Sequence, residues 1–335
     1  MKKKLSVVVI CLLILSVISF FDGMMFSPAS AESWKPQKPI TYIVPSAPGG
    51  GYDLRSRGIA RYLAKYTGGQ PVIIKNVPGA GNRKGAIVLN RSKPDGHTIG
   101  FVPSMGIAMD QIIIPNYPID LRDYTYLGVT ISEGYVFTVG KNTPYKSIED
   151  LKNAKSPIKI GASGKTATNY KVFCLALSAM GVPFKPITGF QGSGHVVTSV
   201  MRGDLDAACY GITSILAYVE SGDLRPIWQT ADPRSRHYPN TPSVKELGYT
   251  ELSALTGSYE CIIAPPGLPK AQTEFLRDAV WKALHDPEFT AWLDQVKQDR
   301  VVKDHKFAEE SVANFLDKFN QEKYLKVLRK YILVQ

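Results

Sequence analysis

The chain has 335 residues, 44% of them hydrophobic and 21% charged, with 40 Lys and Arg set against 29 Asp and Glu. That length exceeds what one hydrophobic core normally organises, since cores stop growing at about 250–300 residues, so two domains are expected. A formal charge of +11 favours anionic partners, either a small solute or an acidic surface, but the basic residues are scattered and do not argue for nucleic acid.

Lys2, Lys3 and Lys4 precede an uncharged apolar run over 5–21, and Ala29-Ser30-Ala31 supplies small residues at −3 and −1 of a cleavage site. Residues 1–31 are therefore expected to be an export signal, with a periplasmic mature chain starting near Glu32. An uncleaved anchor is the alternative, because the run approaches the about 20 residues that span a bilayer. Cys11 follows Ile10 rather than a small residue, so no lipid anchor is expected there. Without the signal the chain keeps 37 Lys and Arg against 28 Asp and Glu, and no other uncharged apolar run approaches a membrane span. Cys174, Cys209 and Cys261 show neither CxxC nor metal-like spacing, which favours buried, inert thiols and leaves one disulfide open as the alternative.

From residue 39 a regular alternation sets in. Residues 39–44 (PITYIV) form a β-rich apolar run that stops at Pro45 and opens into PSAPGGGYD. A helix is expected over 53–66, with Leu54, Ile59, Tyr62 and Leu63 spaced for one buried face. Residues 71–75 read as a second strand, closed by NVPGAGNRKG, with a helix over 85–90 and a third strand over 98–102 after the Asp95-Gly96 turn. Strand, glycine loop and helix repeated in this order predict a mostly parallel sheet flanked by helices. A second set starts after Leu127, with strands over 135–139, 158–161, 184–188, 206–210 and 226–229 and helices over 147–154, 170–180 and 195–202. A strand over 258–264 is halted by Pro265-Pro266-Gly267, and only helical patterns follow, over 270–285, 287–297 and 308–333. A helical tail without its own sheet packs most simply on the first lobe. The chain would then cross between lobes near 134–139 and again near 258–264, forming a hinge.

In such sheets ligands collect at the carboxyl ends of the strands. In the loop at 45–53, Gly49, Gly50 and Gly51 let the backbone approach a ligand closely, and the following helix start points N–H groups at an anion. Asp53 fits the helix N-cap, and capping is favoured over ligand contact for it. The loop at 76–85 has glycines spaced GxGxxxG and no acidic residue at the distance a dinucleotide site needs. Arg83 and Lys84 oppose the helix dipole there, so either they face solvent or an anion relieves them. The loop at 161–168 contains GKT, but Lys159 stands where a P-loop requires glycine, leaving hydroxyls and N–H groups suited to a carboxylate or to water beside one. The matching loop at 190–195 ends in His195, read as a capping or packing residue before a catalytic base. There is no GxSxG, no HExxH and no His/Cys cluster at metal spacing, so no catalytic residue, metal or cofactor is expected.

Several segments in a fixed order are specific together: KPITYIVPSAPGGGYDLRSR, the N-x-PGAG at 76–81, Pro94-Asp95-Gly96-His97-Thr98, Phe190-Gln191-Gly192, Gly203-Asp204-Leu205-Asp206, the ELG at 246–248 and the APPGLP at 264–269. They span nearly all of the mature chain and resemble the solute-binding receptors of the tripartite tricarboxylate transporter family, also called Bug receptors. The resemblance implies an α/β, two-lobe type II periplasmic binding fold of the Venus-flytrap kind. Residues 32–134 and 262–335 would form the first lobe and 135–261 the second. It also implies a carboxylate held, often with ordered water, by Ala47, Pro48, Gly49, Gly50, Tyr52 and Asp53, then by Ala80, Gly81 and Asn82. Ser104 would add a hydroxyl, and Ser163, Thr166, Thr168, Gly192 and Ser193 would close from the second lobe. The implied partners are a small carboxylate and the membrane permease subunits of a tripartite transporter, with a monomeric receptor.

The departures bear on the ligand. Asn82, Arg83 and Lys84 replace small or neutral residues of the family pattern, Ser46 stands where an aromatic is common, and Gln191 where a lysine is. These changes are expected to suit a ligand with a second anionic group. Two other readings stay open at this stage, a periplasmic sensor feeding a two-component kinase and an enzyme on the same scaffold.

Overall fold

The computed structural model describes residues 34–49, 51–250, 252, 258–298 and 301–333; the expected export signal and Gly50 lie outside them. The first lobe opens with β1 (Ile40–Val44), α1 (Gly51–Leu63), β2 (Val72–Asn76), α2 (Arg83–Asn90), β3 (Thr98–Pro103), α3 (Ser104–Ile113) and β4 (Thr125–Glu133). β1 is buried along almost its whole length, as a strand with helices over both faces must be.

The second lobe follows as β5 (Tyr135–Gly140), α4 (Ile148–Lys152), β6 (Ile158–Ala162), α5 (Thr168–Ala179), β7 (Phe184–Thr188), α6 (Ser193–Arg202), β8 (Ala207–Gly211), α7 (Leu216–Glu220) and β9 (Leu224–Gln229). The termini follow the local chemistry: a capping box of Ser147 and Asp150 starts α4, and Gly203 in the left-handed region ends α6. The chain then returns through β10 (Ser258–Ala264) to α8 (Lys270–Leu284), α9 (Pro287–Gln295), α10 (His305–Phe319) and α11 (Glu322–Leu328), with a last turn over Arg329–Leu333.

Two five-stranded sheets result, ordered β2-β1-β3-β10-β4 and β7-β6-β8-β5-β9. Each contains one reversed strand: β10 runs antiparallel to β3 and β4, and β5 antiparallel to β8 and β9. Both are the strands by which the chain enters a lobe from its neighbour. If both sheets direct the carboxyl ends of their other strands at one cleft, a chain arriving from the cleft side must run the opposite way. The crossings lie side by side: Glu133, just before Gly134, pairs with Ser258 at the start of β10.

Four expectations change. β10 pairs with the first sheet from Ser258 onward, so residues 258–261, expected in the second lobe, belong with the first. The end of the tail, expected in the first lobe, reaches the second, where Tyr170 Oη donates to Tyr331 O at 3.1 Å and the Tyr331 ring lies 4.9 Å from Phe184. The single helix expected over 308–333 breaks at Asn320-Gln321. α3 and β4 were not expected. Every residue from Ser104 to Asp110 is buried, so α3 shows no apolar–polar period to read.

One apolar cluster runs through both lobes, from Ile43, Met105 and Met109 to Phe137, Phe173 and Trp228, and takes in Phe315, Phe319 and Leu328 of the tail. α9 docks on α1 at Gly58, where a Cβ would fall 2.1 Å from Trp292 Cη2. The three cysteines are free and buried, and burial pushes the Cys261 thiol up to about 12 and those of Cys174 and Cys209 further. Among the described residues no helix is long and apolar enough to cross a membrane, and no group of three His, Cys, Asp or Glu is placed to hold a metal ion.

Candidate functional site

The first two glycine loops are built as one unit. Asn76, the last residue of β2, donates from Nδ2 to Ser46 O at 3.0 Å and to Asp53 Oδ1 at 2.8 Å. Asp53 Oδ2 accepts from Gly49 N–H and from Arg57 Nε, both at 2.9 Å. Gly85 then lies flat on Pro45, where a Cβ would be 2.6 Å from Pro45 Cα. Burial pushes the Asp53 carboxyl up, but hydrogen bonds from Arg57, the Gly49 amide and Asn76 outweigh it and hold the group below the ordinary carboxylate range. Asp53 is thus an ionised strut between the loops. It offers acceptors only, so it cannot donate to a carboxylate and repels one. The expected contact from Asp53 is withdrawn on that ground.

In the second loop, Gly79, Ala80, Gly81 and Asn82 all have positive φ, at 131°, 47°, 61° and 79°. Two of these are not glycines, and left-handed non-glycine residues are strained by about 1–3 kcal/mol each, a cost that clusters at functional sites. Asn82 stands at the N-cap of α2 yet does not cap it with its side chain. Arg83 is half-buried. Its Nη2 lies 3.9 Å from Asp110 Oδ2 and its Cζ 5.5 Å from the Tyr117 ring centre, while Lys84 is exposed.

The second lobe comes against these loops at Gly81 and Gly51 and against α3 at Gly106. Thr166 Oγ1 lies 2.3 Å from where a Cβ on Gly81 would stand, Thr168 Oγ1 2.1 Å from the same point on Gly106, and Ser214 Oγ 3.4 Å from it on Gly51. Thr166 and Thr168, both expected from sequence, are therefore brought against the first lobe. Ala47, Pro48, Gly49 and Ala80 are exposed at the loop surfaces, Tyr52, Gly81 and Asn82 are half-buried, and the Tyr52 ring packs 4.9 Å from Phe101. Ser163 is exposed, Gly192 and Ser193 are half-buried, and His195 is exposed on the first turn of α6. Ser104 is fully buried and its hydroxyl donates to Tyr259 O at 3.0 Å. Its one O–H is therefore spent inside the protein, which removes the donor expected for a ligand.

Two residues near these loops were not expected. Ser214 follows β8 in the stretch Ile212-Thr213-Ser214-Ile215, a hydroxyl pair after a strand that the carboxyl-end rule would have flagged. Arg55 is 4% exposed and ion-paired with Glu260. Behind the loops, Lys171 of α5 lies 2.7 Å from Asp110 Oδ1 and donates to Gly106 O at 2.7 Å, with Lys171 and Asp110 both fully buried.

The model of the tripartite tricarboxylate transporter family receptor matches residues 56–324. The chain belongs to this receptor family. It is 30% identical over 268 residues to an Agrobacterium vitis protein encoded in the TAR-I ttuE-ttuC′ intergenic region, covering 77% of this chain and 75% of that one. Protein BugT of Bordetella pertussis is 27% identical over 264 residues, with 76% and 79% covered. Among solved structures, MatC from Rhodopseudomonas palustris, with bound malate, superposes with a TM-score of 0.73 at 20% identity over 88% of this chain and 99% of that one. The fold is thus the two-lobed α/β fold of periplasmic binding proteins.

Proposed function

We propose that this chain is an exported receptor that captures a small carboxylate between its lobes and delivers it to the permease subunits of a tripartite transporter. The carrying observation is the meeting of Gly81 with Thr166: a strained turn of positive-φ residues in one lobe lies directly against a hydroxyl-bearing loop of the other. Amides and hydroxyls are the donors a carboxylate needs, and a guest touching both lobes favours the closed form by its differential affinity. The surplus of Lys and Arg over Asp and Glu adds a field that attracts anions. The malate held by MatC supports a dicarboxylate as the guest class. Ala47, Pro48, Gly49, Gly50, Tyr52, Ala80, Gly81, Asn82, Thr166 and Thr168 are the proposed contacts, with Ser163, Gly192 and Ser193 at the margin of the second lobe.

A thermal-unfolding screen of the mature chain, residues 32–335, against acetate, succinate, malate, adipate and citrate tests this. At ligand about a hundredfold above Kd, binding to the native state alone should raise Tm by about 5 °C, with dicarboxylates ahead of acetate. A flat response to every member would sink the receptor reading.

A further inference from the structure

We propose that Arg55, balanced by Glu260, is the charged contact for one carboxylate of the guest, with Ser214 the second lobe's donor to the same group; this rests on the receptor reading above. Arg55 lies in the second turn of α1, and its side chain runs back toward the start of the helix. Nη1 lies 3.2 Å and Cζ 3.7 Å from where a Cβ on Gly51 would stand, so the guanidinium rests against the first residue of α1. Ser214 Oγ from the other lobe is 3.4 Å from that same point. The guanidinium also sits 5.2 Å from the Tyr52 ring centre.

This is a costly place for a cation. The amino end of a helix carries partial positive charge and disfavours Lys or Arg, and burial adds desolvation. A pair serving only to tie α1 to β10 would gain from lying further along the helix. At Gly51 three sources of positive potential instead converge: the helix start, the guanidinium and a hydroxyl from the opposite lobe. A guanidinium has five N–H donors in a fixed fork and can serve two carboxylates at once. Glu260 would hold the fork in place, and the guest's carboxylate would share the same guanidinium. Arg57, two residues on, is 53% exposed and bonded to Asp53, so it does not compete for this position.

The two partners make opposite predictions. With the same five-acid panel on the mature chain, titration calorimetry should show Arg55→Met weakening the best-bound acid by about tenfold or more, with Arg55→Lys in between. Glu260→Gln should bind that acid as tightly as the parent or tighter, because a competing negative charge is gone. If Arg55→Met does not fold, weaker binding by Glu260→Gln, or undiminished binding by Arg55→Lys, overturns the assignment by itself. A purely structural pair would lower Tm in both variants and leave both affinities unchanged. Should no acid bind the parent protein, the receptor reading falls and this inference with it; should the parent and Arg55→Met bind equally, only this inference falls.

Discussion

A Cβ at position 81 would stand 2.3 Å from Thr166 Oγ1 and 2.5 Å from the Thr166 carbonyl carbon, in a residue whose φ is +61°. Glycine is required there twice, by the backbone and by the opposite lobe, and the two demands can be separated. Gly203 also has a left-handed φ, at +86°, but a Cβ there meets nothing within 4 Å. Gly203→Ala should therefore lose about 1 kcal/mol of stability and leave carboxylate affinity unchanged. Gly81→Ala should lose a similar amount and also weaken binding by about tenfold or more, since the lobes can no longer meet. Equal affinities in the two variants would show that the Gly81–Thr166 approach plays no part in capture. The glycines were legible in the sequence because few other residues tolerate such backbone. For Asp53 and Ser104 the sequence was less telling, because residue type reveals donors and acceptors without revealing who uses them. Arg55 and Ser214 were missed because their meeting at Gly51 depends on how the lobes close.

α3 is the element that most clearly escaped the sequence, and it carries one of the contacts between lobes. Gly106 lets Thr168 in, and four residues on Asp110 meets Lys171 with both side chains fully buried. Burial pulls the Lys171 ammonium below its ordinary value and pushes the Asp110 carboxyl above its own, in spite of the mutual attraction at 2.7 Å. Such pairs seldom add net stability, yet removing one partner leaves a stranded charge. Lys171→Met should therefore cost about 3–5 kcal/mol in urea unfolding, and Asp110→Leu combined with Lys171→Met should recover most of it. A double variant no more stable than Lys171→Met would mean that the helices depend on the charges themselves. The parallel strands were legible from their apolar runs and glycine loops. The end of the tail was not, because packing rather than pattern carries Tyr331 across to Phe184.

Over the whole molecule the carboxylates set the response to acid. Asp53, Asp95, Asp120, Asp150, Asp223 and Asp286 are held below their ordinary values, and hydrogen bonds from Arg234 and the Ser243 amide bring Glu246 down to about 2. In the unfolded chain these groups take up protons at about pH 4, whereas in the folded chain they resist until the pH is lower. Between those limits the unfolded state binds more protons, so the stabilisation is complete above about pH 4 and lost as the pH falls through the folded values. Asp110 runs the other way, since protonation relieves its burial, but among the described residues it is one carboxylate against the seven named. Acidification also removes negative charge from a chain already rich in Lys and Arg, adding self-repulsion in the same direction. Tm should therefore decline as the pH is lowered from about 4.5 toward 2. The extra Tm conferred by a carboxylate guest should vanish over the same range, because the guest loses the charge that the amides and hydroxyls receive. A ligand-induced increment that persists in acid would mean that the protein grips the neutral part of its guest, and the anion site at the glycine loops would have to be given up.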